Sequence, residues 1–170
     1  MKFLTIILTC ATFLAYSNKS SFNNDTIEIR DIAIKTSSSG SVQLGDPIQK
    51  ISKTFGKPLK TSTEYWEMNE KHATIYHYSG ATLSFIDNKL ESYNITGPEF
   101  LVGNGMKGKF FNVNGPLSNI ATYLPDWEIL KDVNGLNANI VLNGQHIDHF
   151  IEISSNPSNE TITSIEIRSY

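Results

Sequence analysis

Cysteine is almost absent. Cys10 is the only one among 170 residues, and it lies inside the apolar N-terminal run. A chain cut after that run would have no disulfide, no thiolate metal site and no cysteine nucleophile. Such a chain must be held together by its core, and about 150 residues suffice for that. A basic stripe is missing too. Fourteen Lys and Arg are interspersed with seventeen Asp and Glu, for a formal charge of −3, so nucleic acid is not an expected partner. No G-x-S-x-G elbow appears, and no second histidine-carboxylate cluster. The chain is therefore not expected to be an enzyme or to hold a cofactor.

What is present begins with the compartment. Lys2 precedes "FLTIILTCATFLAY", and "AYS" then places small residues at Ala15 and Ser17. A short positive region, an apolar run and a small-residue cleavage site form a secretory signal peptide. The run is too short and too soon interrupted for a membrane span. Residues 1–17 are thus expected to be removed, and the location is secreted or periplasmic. "ILTC" offers a second route, lipidation at Cys10 and anchoring to the outer membrane.

The rest divides into segments with related patterns. Residues 18–40 hold the alternating strand "TIEIRDIAIK" and the break "TSSSGS". In "LGDPIQKISKTFGKP", Asp46 can cap, Pro47 can open a helix, and Gly56 and Pro58 can end it. Ile48, Ile51 and Phe55 form its apolar face. Strand-like runs follow at 63–69, 73–79, 81–86 and 89–96, the last ending at Gly97-Pro98. Residues 113–127 align on that helix without a gap, Pro116 on Pro47, Ile120 on Ile51 and Leu124 on Phe55. "TITSIEI" (161–167) matches "KLESYNI" (89–95), including a phase slip that predicts a bulge in each. The expected fold class is α+β, two tandem repeats of a short helix followed by an antiparallel β-meander. The repeats would be 41–97 and 107–170, with 98–106 a linker.

"GNGMKG" (103–108) satisfies G-x-G-x-x-G letter for letter. A dinucleotide loop follows a strand and opens a helix, whose N-terminus holds the pyrophosphate. Here an apolar strand-like run, "KFFNVNG", comes next. The glycines read as a hinge between repeats, and no dinucleotide is expected.

Two groups of side chains are candidates for function. In "QHIDHFIEI", His146, Asp148 and Glu152 alternate and could offer one nitrogen and two carboxylates to a metal. The same spacing is what a half-exposed strand shows, so no metal is the prevailing expectation. The aromatics say more. With Ile75 assigned to the helix side, Tyr76 and Tyr78 fall on the opposite face of the sheet, and Trp66 sits on the neighbouring strand. Trp66, Tyr76 and Tyr78 are then candidate partner-binding residues. Burial of these rings between stacked repeats is the alternative.

The motifs Gly45–Pro47, Phe55–Pro58 and Asp87–Leu90 resemble those of the SmpA/OmlA outer-membrane assembly lipoproteins and of the tandem-repeat β-lactamase inhibitor proteins. The resemblance covers 41–96 and, more loosely, 107–168. The inhibitor proteins carry disulfides, which a mature chain here would lack. What the resemblance implies is a non-enzymatic binding or inhibitory module acting on another envelope or secreted protein. A metal-dependent ligand binder or hydrolase using the 146–152 cluster, and a structural envelope component, are the alternatives.

Overall fold

The computed structural model describes residues 26–123, 130–132 and 135–169. The expected signal peptide, Cys10 and Leu124 lie outside the described residues. In chain order the elements are β1 (Thr26–Glu28), β2 (Ile32–Thr36), α1 (Ile48–Phe55), β3 (Lys60–Trp66), β4 (Lys71–Tyr78), β5 (Ala81–Ile86) and β6 (Lys89–Ile95). They continue as β7 (Phe100–Asn104), β8 (Lys109–Asn112), α2 (Ser118–Tyr123), β9 (Leu130–Asp132), β10 (Gly135–Leu142), β11 (Gln145–Asn156) and β12 (Thr161–Ser169). Among the described residues no helix is long and apolar enough to cross a membrane.

Local chemistry explains the turns. Asp87 and Asn88 both have positive φ, 51° and 62°, as do Asn143 and Gly144 at 53° and 75°. Two consecutive left-handed residues match the right-handed twist of the strands they join, so β5–β6 and β10–β11 are tight hairpins. The Glu28 carboxylate accepts the backbone N–H of Asn143 at 3.0 Å and of Gly144 at 2.7 Å, tying β1 to the second hairpin. Gly56, at φ 80°, ends α1. Asp46 does not cap that helix as its position suggested. Pro47 takes the cap site, and the Asp46 carboxylate instead accepts from Gln43 N and Lys50 Nζ, both at 2.7 Å.

Two sheets result. Among the described residues nine strands form one mixed sheet in the order β1, β10, β11, β12, β6, β5, β4, β3, with β9 also on β10. Only β1 against β10 is parallel. A second sheet has the order β2, β7, β8. The core lies between one face of the large sheet and a layer made of α1, α2 and the small sheet. Ile51, Phe85, Ile120, Ile140 and Ile153 are fully buried there, with Val102 from the small sheet.

This overturns the expected fold class. The chain is mostly β, with helices of eight and six residues, and is not two helix-plus-meander repeats. The local correspondences are real: both segments are helical, and both final strands carry a bulge, at Glu91 and at Thr163. They do not build separate units, because β12 hydrogen-bonds to β6 through Ile165–Ile95 and Ile167–Tyr93. That pairing removes two open edges, which a sheet otherwise leaves unsatisfied. The segment 98–106 is not a linker either. It holds β7, the central strand of the small sheet, with Phe100, Val102 and Asn104 buried.

Tyr93 sits in this core with its hydroxyl buried and no hydrogen-bond partner among the described residues. Burial drives its pKa far above the ordinary 10.0. The unfolded chain releases that proton above pH 10 while the folded chain retains it. Stability therefore falls by about 1.4 kcal/mol per pH unit above 10. Tyr93→Phe is expected to raise unfolding free energy by about 1 kcal/mol at neutral pH, since an unpaired buried hydroxyl is lost. It should also flatten the alkaline limb in denaturant titrations from pH 8 to 11. A loss of stability at neutral pH would show that the hydroxyl is satisfied.

Candidate partner-binding surface

Side chains alternate across a strand, so the register fixes what each face of the large sheet presents. Tyr76 pairs with Leu83, and Leu83 with Tyr93. All three point to the core. The opposite face runs from Ser62 on β3 through Ile75, Ser84 and Ser92. Beside that row lies a second, His77, Thr82, Asn94 and Glu166. Ile75, Ser84 and Ser92 on this outer face are nearly buried.

At one end the chain leaves β3 in a 3-10 turn, Glu67–Asn69, that rises beside the sheet. Trp66, Glu67, Met68 and Asn69 thereby wall a groove of about 610 Å³. Ile75, Ser84, Ser92 and Asn94 line it from the sheet, and Glu166 and Arg168 from β12. Trp66 is half-buried, whereas Met68 is 77% exposed. Arg168 donates to Glu166 at 2.7 Å and lies 3.8 Å from Glu152. Its pKa is raised, first by that hydrogen bond; burial opposes it as the next largest effect, and the charges of Glu166 and Glu152 add smaller increments upward. Glu64 and Glu67 have no ion pair among the described residues. The Asn94 Oδ1 is buried and accepts no hydrogen bond there.

The residues expected from sequence separate. Trp66 belongs to the groove. Tyr76 and Tyr78 do not, because the assignment of faces on β4 was inverted. Tyr76 lies 4.9 Å from the Phe85 ring, and Tyr78 lies 6.2 Å from Phe55 and 6.0 Å from Phe100. The Tyr78 hydroxyl donates to Gly56 O at 3.1 Å, and burial first, then Tyr76, pushes its pKa up to about 12. Both rings are half-buried on the helix side. His146 and Asp148 are exposed, while Glu152 is half-buried near Arg168. Among the described residues no three His, Cys, Asp or Glu side chains are grouped to hold a metal ion.

The "GNGMKG" segment is a hairpin turn between β7 and β8, with Asn104 Oδ1 accepting Lys107 N at 2.9 Å. It opens no helix. Sequence reading missed His149, whose Nε2 lies 3.3 Å from Glu91 Oε1, and one further pair. Ser62 Oγ lies 2.9 Å from His77 Nε2, across β3 and β4. Only the diagonal register brings residues fifteen apart together, so no local signal announced it. A nucleophile–base pair needs a third group to orient the base. No carboxylate hydrogen-bonds to His77 among the described residues, so the pair as it stands is a hydrogen bond across strands.

No protein-family model matches the chain, and no curated protein matches its sequence. Solved structures similar to part of it include two extracellular or secretory proteins. One is an extracellular protein containing an SCP domain from Bacillus anthracis str. Ames, at TM-score 0.43 and 10% identity over 74% of this chain and 44% of that one. The other is a cysteine-rich secretory protein from Staphylococcus aureus subsp. aureus Mu50, at TM-score 0.44 and 10% identity over 85% of this chain and 50% of that one. The chain spans about half the length of either. TM-scores below 0.5 carry no argument about this chain's fold or function.

Proposed function

We propose that the chain is a secreted, non-enzymatic binding module that captures an extended segment of another secreted or envelope protein. Secretion rests on the N-terminal pattern of Lys2, the apolar run and Ala15–Ser17. Cleavage near Asn18 would release the chain, and lipidation at Cys10 would tether it. The observation that carries the binding reading is the groove on the outer sheet face, walled by Trp66 and Met68. Its lining spans β3, β4, β5, β6 and β12, five adjacent strands. Four interstrand spacings make about 19 Å, the reach of about six extended residues. Half-buried Trp and exposed Met beside a polar floor are the residue types that protein interfaces favour.

A photo-reactive phenylalanine at Met68, in the groove wall, tests this against one at Leu59, which is 79% exposed and lies outside the groove. Irradiation in the native secreted fraction is expected to cross-link one protein from position 68. Trp66→Ala should remove that product without changing the circular dichroism spectrum. Equal products from both positions, none from position 68, or indifference to Trp66→Ala would overturn the proposal.

A further inference from the structure

We infer that the groove selects a partner segment bearing a lysine or arginine side chain, an inference that rests on the binding function proposed above. Two observations converge on that chemistry. The first is charge. Glu64, Glu67 and Glu166 line the groove against one guanidinium, Arg168. Arg168 is already engaged by Glu166 at 2.7 Å, so it offers little to an incoming anion. Glu64 and Glu67 carry no ion pair among the described residues, so their charge is available to a cation. Ser84, Ser92 and Asn94 make the floor of the groove polar.

The second is the apolar wall. Trp66, Met68 and Ile75 form one side of a groove whose floor is polar. Lysine and arginine lay a hydrocarbon stem on apolar surface while the charged head stays among polar groups. The Trp66 ring also attracts a cation over its face. An acidic segment would meet the carboxylates of Glu64 and Glu67, and a purely aliphatic one would leave them without a counter-charge. A small free amine would fill only a fraction of about 610 Å³, so the source is a polypeptide side chain.

Three neutral-capped probes test the selection: Nα-acetyl-lysine methylamide, its arginine counterpart and the uncharged norleucine counterpart. Each is titrated into the secreted chain while the Trp66 indole N–H and Asn94 side-chain amide resonances are followed. The cationic probes are expected to bind about tenfold more tightly than norleucine at low salt, from the ring contact and two exposed carboxylates together. Raising the ionic strength to about 0.5 M should shrink that ratio, because the carboxylates are screened. Glu64→Gln with Glu67→Gln should reduce the preference to less than about threefold, with the norleucine affinity unchanged.

Equal binding of all three probes would overturn the charge selection while leaving the groove as the binding surface. If no probe moves either resonance, the inference falls. In that case a Trp66-dependent cross-link from position 68 would still support the binding module. Failure of both measurements would remove both readings.

Discussion

The double variant Tyr76→Ala/Tyr78→Ala is expected to lose about 3–5 kcal/mol of unfolding free energy. Deleting a fully buried aromatic ring costs about 3–5 kcal/mol, and each of these rings is only half-buried. Roughly half of that per ring gives the stated sum, with some non-additivity because the two rings touch. Their centroids are 6.4 Å apart. The loss is concentrated where α1 and the small sheet meet the large sheet. Tyr76 packs on Phe85 of β5, Tyr78 packs on Phe55 of α1, and both Phe55 and Tyr78 reach Phe100 of β7. Removing the pair therefore loosens α1 and the small sheet from the large one. Domains of this size hold about 5–15 kcal/mol in total, so the denaturant midpoint should drop by about a fifth or more. Tyr78→Phe keeps the ring and gives up only the hydrogen bond to Gly56 O, for a cost of about 1 kcal/mol or less. It should also remove one contribution to alkaline destabilisation between pH 10 and 12, because the unfolded phenol ionises at 10 and the folded one near 12. A double variant as stable as the parent to within about 1 kcal/mol would return these rings to the list of surface candidates.

The strand β4 shows why that list was partly wrong. Its sequence alternates Thr74, Tyr76, Tyr78 with Ala73, Ile75, His77, and either row can be an inward one. Ile75 and Ile140 occupy matching places in the two segments, and that match is what points Ile75 to the helix side. The deciding information lies one strand away. Tyr76 and Thr74 stand opposite Leu83 and Phe85, whereas Ile75 and His77 stand opposite Ser84 and Thr82. A face belongs to a sheet and is legible only once the register is known. The 3-10 turn that follows Trp66 then walls the groove into which Ile75 faces. Trp66 alone was recognisable by type. Asn94, Glu166 and Arg168 were not, since the β6–β12 pairing joins residues more than seventy positions apart.

The same limit governed the fold. Periodicity located α1 and the strands β4, β5 and β6, because those signals are local. The phase slips in "KLESYNI" and "TITSIEI" became bulges for the same reason. Which final strand would close on which is not local. Two meanders considered separately each leave an open edge, and joining β6 to β12 satisfies both. The segment 98–106 was misread through its glycines. Gly97, Gly103, Gly105 and Gly108 suggested conformational freedom, yet Phe100 and Val102 between them are core residues.

Gly103→Ala is accordingly expected to destabilise the protein by about 3 kcal/mol, the upper range for forcing extra atoms into a packed interior. Gly103 is buried on β7, opposite Ala33 of β2 and Phe110 of β8. A Cβ there would press on the Lys109 carbonyl oxygen inside van der Waals contact and would lie 2.7 Å from Phe110 Cα. Both are backbone atoms of a paired strand, so no side-chain rotation relieves the overlap. The hairpin itself must open. Glycine in a strand marks such a close approach, and this one has nothing to do with a pyrophosphate. Gly40→Ala is the matched control. A Cβ added at Gly40 would meet no heavy atom within 4 Å, and the backbone there is not left-handed, so a change within about 0.5 kcal/mol is expected. Thermal and denaturant unfolding of the two variants, without any nucleotide present, separates the readings. A glycine needed only for a cofactor loop would leave the stability of the unliganded protein untouched. If Gly103→Ala unfolds at the same denaturant concentration as Gly40→Ala, the strands β7 and β8 are not as close as described, and the small sheet does not hold Gly103 at its centre.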